Sequence, residues 1–363
     1  MPINQLYDTL RVKMTQLRPG ERVTRIRNII WLMIGLLQSK SVHLSKVATK
    51  IPGEADTLSI ARRLSRFLDN PAVKVREWYA PIARRWLDYL GKTVGEIRLI
   101  ADGTKIGSSH QLLIVSVAWR RRAIPIAWTW AKYVKGHSSA HKQLALLSYI
   151  HGLIAAKIPV LLVGDSEFGA IEVIQQVKAW GWRYGLRQKS SNQVFVAGKW
   201  QDFGSLITKP GQCLWFERAL LTYKHAYQTN LLAYWKAGEE EPWLLATNLP
   251  SDQMAQKAYG RRMWIEEMFG DMKGHGFDLE ASRLTSFLRL SRLTLAVALL
   301  YVWMIATGAK VIKNGLRSLV DRADRRDLSI FQIGLRYVDR LITNAKTVPV
   351  SFYPILSPKL SGC

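Results

Sequence analysis

A chain of 363 residues has room for two or three domains, and its apolar fraction of 48% is ample for sizeable cores. Its 52 Lys and Arg against 27 Asp and Glu give a net charge of +25 and a pI of about 10.2, which excludes the near-neutral balance of an ordinary soluble enzyme. The cations are spread along the whole length, so they point to a large anionic partner touched by several segments, with nucleic acid leading.

A membrane surface, the other anionic candidate, calls for a basic amphipathic helix or a spanning segment. The longest uncharged run is Leu293 to Ala309, which contains Thr294, Thr307 and Gly308. It falls short of the roughly 20 residues a span needs and reads as a buried core helix. Residues 1–11 lack the apolar core of a signal peptide. Two cysteines, Cys213 and Cys363, make neither a disulfide framework nor a zinc site. A soluble cytoplasmic protein is expected, with no membrane partner.

Residues 1–92 read as a helical domain. Asn28 to Gln38 is strongly apolar, and Ser41 to Lys50 is a second short helix. In the next, Leu58, Ala61, Leu64 and Leu68 recur at helical spacing, with Asp56 placed to cap. Arg62, Arg63 and Arg66 crowd this helix, and residues 1–90 hold 16 Lys or Arg against 7 Asp or Glu. Short helices around a Pro52-Gly53 turn, with a basic third helix, resemble a DNA-binding module.

Residues 93–188 change texture. Glu96 to Asp102 reads as a strand ending in a carboxylate and a Gly103 turn. Leu112 to Trp119 and Ala123 to Trp130 form a hairpin across Arg120-Arg-Arg. A helix over 138–157 follows. Ile158 to Gly164 is then a continuous apolar run, as in a strand buried on both faces, and it too ends in an acid, Asp165. A helix over 168–180 and a strand over 183–188 complete a β-β-β-α-β-α-β order, which implies a mixed sheet flanked by helices.

Residues 189–242 read as an antiparallel β insertion of short strands with polar breaks. Residues 243–313 return to the core: a strand from Trp243, a signature helix, then two long helices. Residues 314–363 form a basic, helical C-terminal tail with an amphipathic helix over 331–342.

In the signature stretch, Tyr259, Arg262, Glu266 and Lys273 stand at helical offsets that project along one stripe, with Met263, Ile265, Met268, Phe269 and Met272 between them. An ordinary i,i+4 ion pair would account for Arg262 and Glu266 alone. Asp102 and Asp165 change that. Carboxylates at strand ends of an open α/β sheet lie in the ligand crevice. Two or three converging carboxylates repel unless a hard divalent cation neutralises them. A pair of Mg²⁺ or Mn²⁺ ions in such a site activates an attacking oxygen and stabilises a leaving one. A very basic chain with an acidic metal site is what cutting a DNA strand requires. Taken alone, Asp102-Gly103 and Asp165-Ser166 would pass for turn residues.

Other residues weigh less. Glu267 and Asp271 should face away from Glu266 by the 3.6-residue period. Glu167, two residues past Asp165, is placed to support it from the same strand face. His137 and His141 read as structural or phosphate-facing, and Arg183, Arg187 and Lys189 as lining a DNA groove. No Gly-rich loop cradles a nucleotide, so no nucleotide cofactor is expected.

These residues carry a resemblance. The spacing Tyr259, Arg262, Glu266, Lys273, with Ala101-Asp102-Gly-Thr and Val163-Gly-Asp165-Ser-Glu-Phe-Gly169 upstream, resembles the IS4 family of DDE transposases. The likeness runs over nearly the whole chain. It implies an RNase H-like core interrupted by the β insertion, with Asp102, Asp165 and Glu266 as a metal-binding triad. It implies that Tyr259, Arg262 and Lys273 are DNA or phosphate contacts. The implied activity is metal-dependent cleavage of double-stranded DNA at element ends and transfer of the 3′-OH ends into target DNA, by a homodimer in the nucleoid. Some relatives hold a flipped base with a Trp; Trp264, Trp215 and Trp243 are the candidates here, and most of the 14 Trp belong to cores. The rivals are a nuclease without strand transfer, an inactive DNA-binding relative and a basic packaging protein. The last needs no acids at strand ends.

Overall fold

The computed structural model describes residues 2–107, 109–132 and 138–353, so His137 and the tail from 354 lie outside the described residues. In chain order, five helices come first: α1 (Pro2–Leu17), α2 (Val23–Ser39), α3 (Leu44–Ala48), α4 (Thr57–Asp69) and α5 (Val75–Val94). Then come β1 (Ile97–Ile106), β2 (His110–Trp119), β3 (Arg122–Lys132), α6 (Ala140–His151), β4 (Val160–Gly164), α7 (Ile171–Ala179) and β5 (Arg183–Arg187). The insertion supplies β6 (Gln193–Val196), β7 (Lys199–Asp202), β8 (Cys213–Leu221) and β9 (Tyr227–Tyr234). The rest is β10 (Trp243–Thr247), α8 (Asp252–Tyr259), α9 (Met263–Met272), α10 (Phe287–Lys313) and α11 (Ile330–Thr343).

The chain forms two compact units, Met1–Ile82 with Phe269–Cys363, and Ala83–Met268. Residues 269–313, read from sequence with the sheet, lie in the first of these. That unit is helical. Asp56 caps α4 as its position predicts, accepting from the Ser59 N–H at 2.9 Å. At its centre, α10 packs on α2, α4 and α11. It is long and apolar enough to cross a membrane, but 89% of its most apolar stretch is buried inside the protein. Gly308 and Gly334 let α10 and α11 touch backbone to backbone: a Cβ on either would stand 1.9 Å from a carbonyl of the other helix. Only this one long helix forms where two were expected. Ahead of it the chain turns back at Gly276, where a Cβ would lie 2.0 Å from the Asp271 carbonyl.

The second unit is built on one ten-stranded mixed sheet in the order β3-β2-β1-β4-β5-β10-β9-β8-β6-β7. β1, β4 and β5 run parallel, and every other neighbouring pair is antiparallel. All five β4 residues are buried, as a doubly covered strand requires. The β2–β3 hairpin turns on Arg120 and Arg121, both left-handed (φ 46° and 61°), the tight reversal whose twist suits paired strands. The insertion strands continue the same sheet, joined to it where β9 pairs with β10. Helices α6, α7 and α8 pack on strands of the first half.

Candidate active site

β1 does not stop at Asp102. It continues four residues to Ile106, because antiparallel pairing with β2 holds it extended through Ile106↔His110. Parallel pairing with β4 ends one residue earlier, at Ala101↔Gly164. Asp102 therefore stands where the β4 side opens. Asp165 follows β4 directly and starts a 3-10 turn, Ser166–Phe168, so both acids sit at the carboxyl edge of the same parallel pair.

The signature stretch is two helices rather than one. Tyr259 ends α8, Gly260–Arg262 is a 3-10 turn, and α9 starts at Met263. Glycine at 260 is a weak helix former, and Tyr259 is held by an edge contact with Trp243 at 5.0 Å between ring centroids. The turn aims Arg262 at Asp102. Lys273 lies past the end of α9, in the other unit, where it pairs with Glu280 at 3.7 Å.

Arg262 bridges the acids. Its Nη1 donates to Asp102 Oδ2 at 2.6 Å and its Nη2 to Glu266 Oε1 at 2.7 Å. The guanidinium also lies 5.9 Å from the centroid of the Tyr259 ring. The Tyr259 hydroxyl and the Arg262 Nε are buried without a hydrogen-bond partner among the described residues. Arg187, at the end of β5, reaches to 4.0 Å from Asp165 Oδ1 while its Nη2 donates to Glu241 Oε2 at 2.8 Å. A groove of about 530 Å³ opens there, lined by Asp165, Arg187, Lys189, Ser190 and Glu241.

Burial pushes the Asp102 carboxyl up to about 7. Arg262 opposes this, the Asp165 charge adds to it, and the Gly103 N–H, 2.7 Å from Oδ1, opposes it. Burial also raises the Tyr259 phenol. It works against the Arg262 charge, but Tyr259, Asp102, Asp165 and Glu266 outweigh it and hold that cation more firmly than usual. The site is a compact set of opposed charges, buried at Asp102 and Arg262 and open to solvent at Glu266 and Asp165.

Of the residues singled out from sequence, Asp102, Asp165, Tyr259, Arg262 and Glu266 converge. Glu267 faces away, as its helical position predicts, and pairs with Arg122 at 2.7 Å. Arg183 pairs with Glu96 instead of lining the groove. On α4, Arg62 and Arg66 are exposed and Arg63 is half-buried. His141 is exposed on α6. Glu167 sits in the turn rather than on a strand, and it reaches Gln111 and Gln143, two polar residues unremarkable in the sequence. Glu241 carries no signal in the sequence, since it is the last of three consecutive glutamates that read as a solvated polar loop.

Residues 129–303 match the family model of the transposase DDE domain. The chain carries a DDE transposase domain. The matched stretch holds Asp165, Tyr259, Arg262, Glu266 and Lys273, and Asp102 lies upstream of it. No curated protein matches the chain. The cryo-EM structure of a piggyBac transposase synaptic complex with hairpin DNA is similar over 96% of this chain and 83% of that one, at 9% identity and a TM-score of 0.37. A likeness that low carries no argument about fold or chemistry.

DDE transposases generally use divalent metal ions, and the donor set here suits one. Carboxylate oxygens are the ligands that Mg²⁺ and Mn²⁺ take. Asp102 and Asp165 are close enough for one charge to disfavour the other, a repulsion a cation relieves. Among the described residues no three His, Cys, Asp or Glu side chains are already gathered around one point. The neutralising cation between Asp102 and Glu266 is instead the Arg262 guanidinium.

Proposed function

We propose that this protein is an insertion-sequence transposase of the IS4 type that cuts DNA at element ends and joins the 3′-OH ends to target DNA. The observation that carries this reading is the convergence of Asp102, Asp165, Arg262 and Glu266 from three separate stretches of a chain with net charge +25, three of the four inside a transposase DDE domain. The strand order β3-β2-β1-β4-β5, with β1–β3 antiparallel and β4 and β5 parallel to β1, supports an RNase H-like core.

In this reading Asp102, Asp165 and Glu266 hold two Mg²⁺ or Mn²⁺ ions. Bound there, the ions supply charge neutralisation at the attacking and leaving oxygens. Arg262 releases its carboxylates and turns to phosphate, with Tyr259 and Lys273 as further DNA contacts. Water attacks phosphorus at the element end and the bond to the 3′ oxygen breaks, leaving a 3′-OH. That hydroxyl attacks a target phosphodiester, forming one P–O bond as another breaks. Segment 1–92, with Arg62, Arg63 and Arg66 on α4, contacts DNA. Two ends must be held together, so the working form is a homodimer; no nucleotide takes part, and the place of action is the cytoplasmic nucleoid.

The test uses DNA bearing the inverted repeats that flank the gene. Asp102→Ala, Asp165→Ala and Glu266→Ala should each lower Mg²⁺-dependent cleavage by on the order of 10²–10³-fold or more while DNA is still retained. Intact cleavage in any of them removes that residue from the triad. A wild-type protein that nicks but never joins 3′-OH ends to a plasmid is a nuclease instead.

A further inference from the structure

A buried polar path links the two aspartates. Glu167, the middle residue of the turn after Asp165, is 7% exposed. Its Oε2 accepts from Gln111 Nε2 of β2 at 3.1 Å, and its Oε1 accepts from the Ser138 N–H at 2.5 Å. Its main-chain oxygen accepts from Gln143 Nε2 of α6 at 2.5 Å, and the second hydrogen of that NH2 is shared between the Ser138 carbonyl and hydroxyl, each at 3.0 Å. Gln111 and Gln143 are buried as well. Gln111 reaches Glu167 by passing over Gly103, where a Cβ would stand 2.8 Å from its Nε2. Gly103 is also the residue whose N–H holds Asp102 Oδ1. The path therefore runs from Asp102 and Gly103 through Gln111 and Glu167 to the turn that carries Asp165.

Burying a carboxylate and two amides is costly, and apolar side chains would fill the same space without that cost. What the polar set adds is direction, since each hydrogen bond fixes one segment against another. Gly164 and Gly169 already press the turn onto its neighbours: a Cβ on Gly169 would lie 2.4 Å from the Arg187 carbonyl. Glu167 adds the tie across β1.

We propose that Glu167, through Gln111, is a positioning residue that sets the separation of Asp102 and Asp165 and so the affinity of their site for a divalent ion. This rests on the active-site reading above.

The test measures Mn²⁺ binding to the full-length protein from the paramagnetic resonance signal of the free ion, beside kcat and KM for cleavage. Gln111→Glu sets two carboxylates face to face, and Glu167→Ala removes the acceptor. Each should weaken Mn²⁺ binding about 10–100-fold and lower kcat with little change in KM. The exchange Gln111→Glu with Glu167→Gln restores a donor opposite an acceptor and keeps an oxygen for Ser138, so it should recover most of the loss. Glu167→Gln alone should stay near wild type, because Gln111 can turn its amide over. The proposal is overturned if the folded single variants bind Mn²⁺ as wild type does, if the exchange does no better than Gln111→Glu, or if Glu167→Gln alone loses 10-fold. If Asp165→Ala leaves Mn²⁺ binding untouched, the active-site reading itself falls. That outcome is distinct from unchanged binding in a Glu167 variant of a protein whose binding depends on Asp165.

Discussion

The ten-stranded sheet has two halves of different quality. β2 and β3 are buried at most positions and β4 at all of them, while β1 and β5 are buried along their middles. In the insertion, β6, β7 and β8 are mostly half-buried or exposed, and the register of β8 against β9 shifts between Phe216 and Ala219 beside a left-handed Arg218. The site hangs from the first half: Asp102 on β1, Asp165 after β4, Arg187 at the end of β5. A close-packed strand with both faces covered cannot slide or tilt without opening voids, so it holds a carboxylate to within a fraction of an ångström. A half-exposed ribbon has fewer packed neighbours to hold it and can bend.

The contrast breaks if truncations in the two halves cost the same. Leu162→Ala, in β4 and fully buried, should cost about 2–5 kcal/mol in denaturant unfolding. A comparable truncation at half-buried Leu214 of β8 should cost clearly less. Equal losses would mean that the insertion is as tightly packed as the core.

Two glycines sharpen it. At Gly169 the backbone is in an ordinary region, but an added Cβ would meet the Arg187 carbonyl, a main-chain atom that cannot swing aside. Gly169→Ala should cost about 1–3 kcal/mol and displace Asp165, so that cleavage falls further than stability does. At Gly198, in the β6–β7 turn, φ is +78° and nothing lies within 4 Å of the new Cβ. Gly198→Ala should cost about 1–2 kcal/mol through backbone conformation alone and leave cleavage as it was. Parallel activity losses in the two variants would undo the distinction.

Much of this was legible in the sequence, and the misses are instructive. Asp165 announces itself because Ile158 to Gly164 is an unbroken apolar run that ends in an acid. Asp102 reads from sequence as the last residue of its strand, yet β1 runs on to Ile106, since Gly103 looks like a turn when the pairing that keeps β1 extended is invisible. Tyr259, Arg262 and Glu266 line up by spacing and lie together in the fold, but the 3-10 turn between them is not legible, because it differs from an α-helix by only one residue in its hydrogen-bond step. Nor does spacing tell which acid Arg262 takes besides Glu266. Gln111 and Gln143 were missed because single amides in apolar stretches have no pattern, and their meaning comes from partners 56 and 24 residues away.

The smallest expected effect concerns Cys213, an exposed residue of the insertion half that serves as a probe of it. Partial burial raises its thiol above the ordinary value, and Asp252, whose Oδ2 lies 3.6 Å from Sγ, raises it further. Only the thiolate reacts with iodoacetamide, so alkylation in a Cys363→Ser background should be slower near neutral pH than that of a free thiol and should climb steeply as the medium becomes alkaline. Asp252→Asn removes the carboxylate charge and should shift that climb toward lower pH. Because the partner sits at the start of α8, the shift also reports whether β8 stays docked there. A wild-type rate equal to that of a free thiol, with no response to Asp252→Asn, would mean that β8 leaves α8 in solution. The insertion would then be looser than a bending ribbon and only loosely joined to the half of the sheet that carries the site.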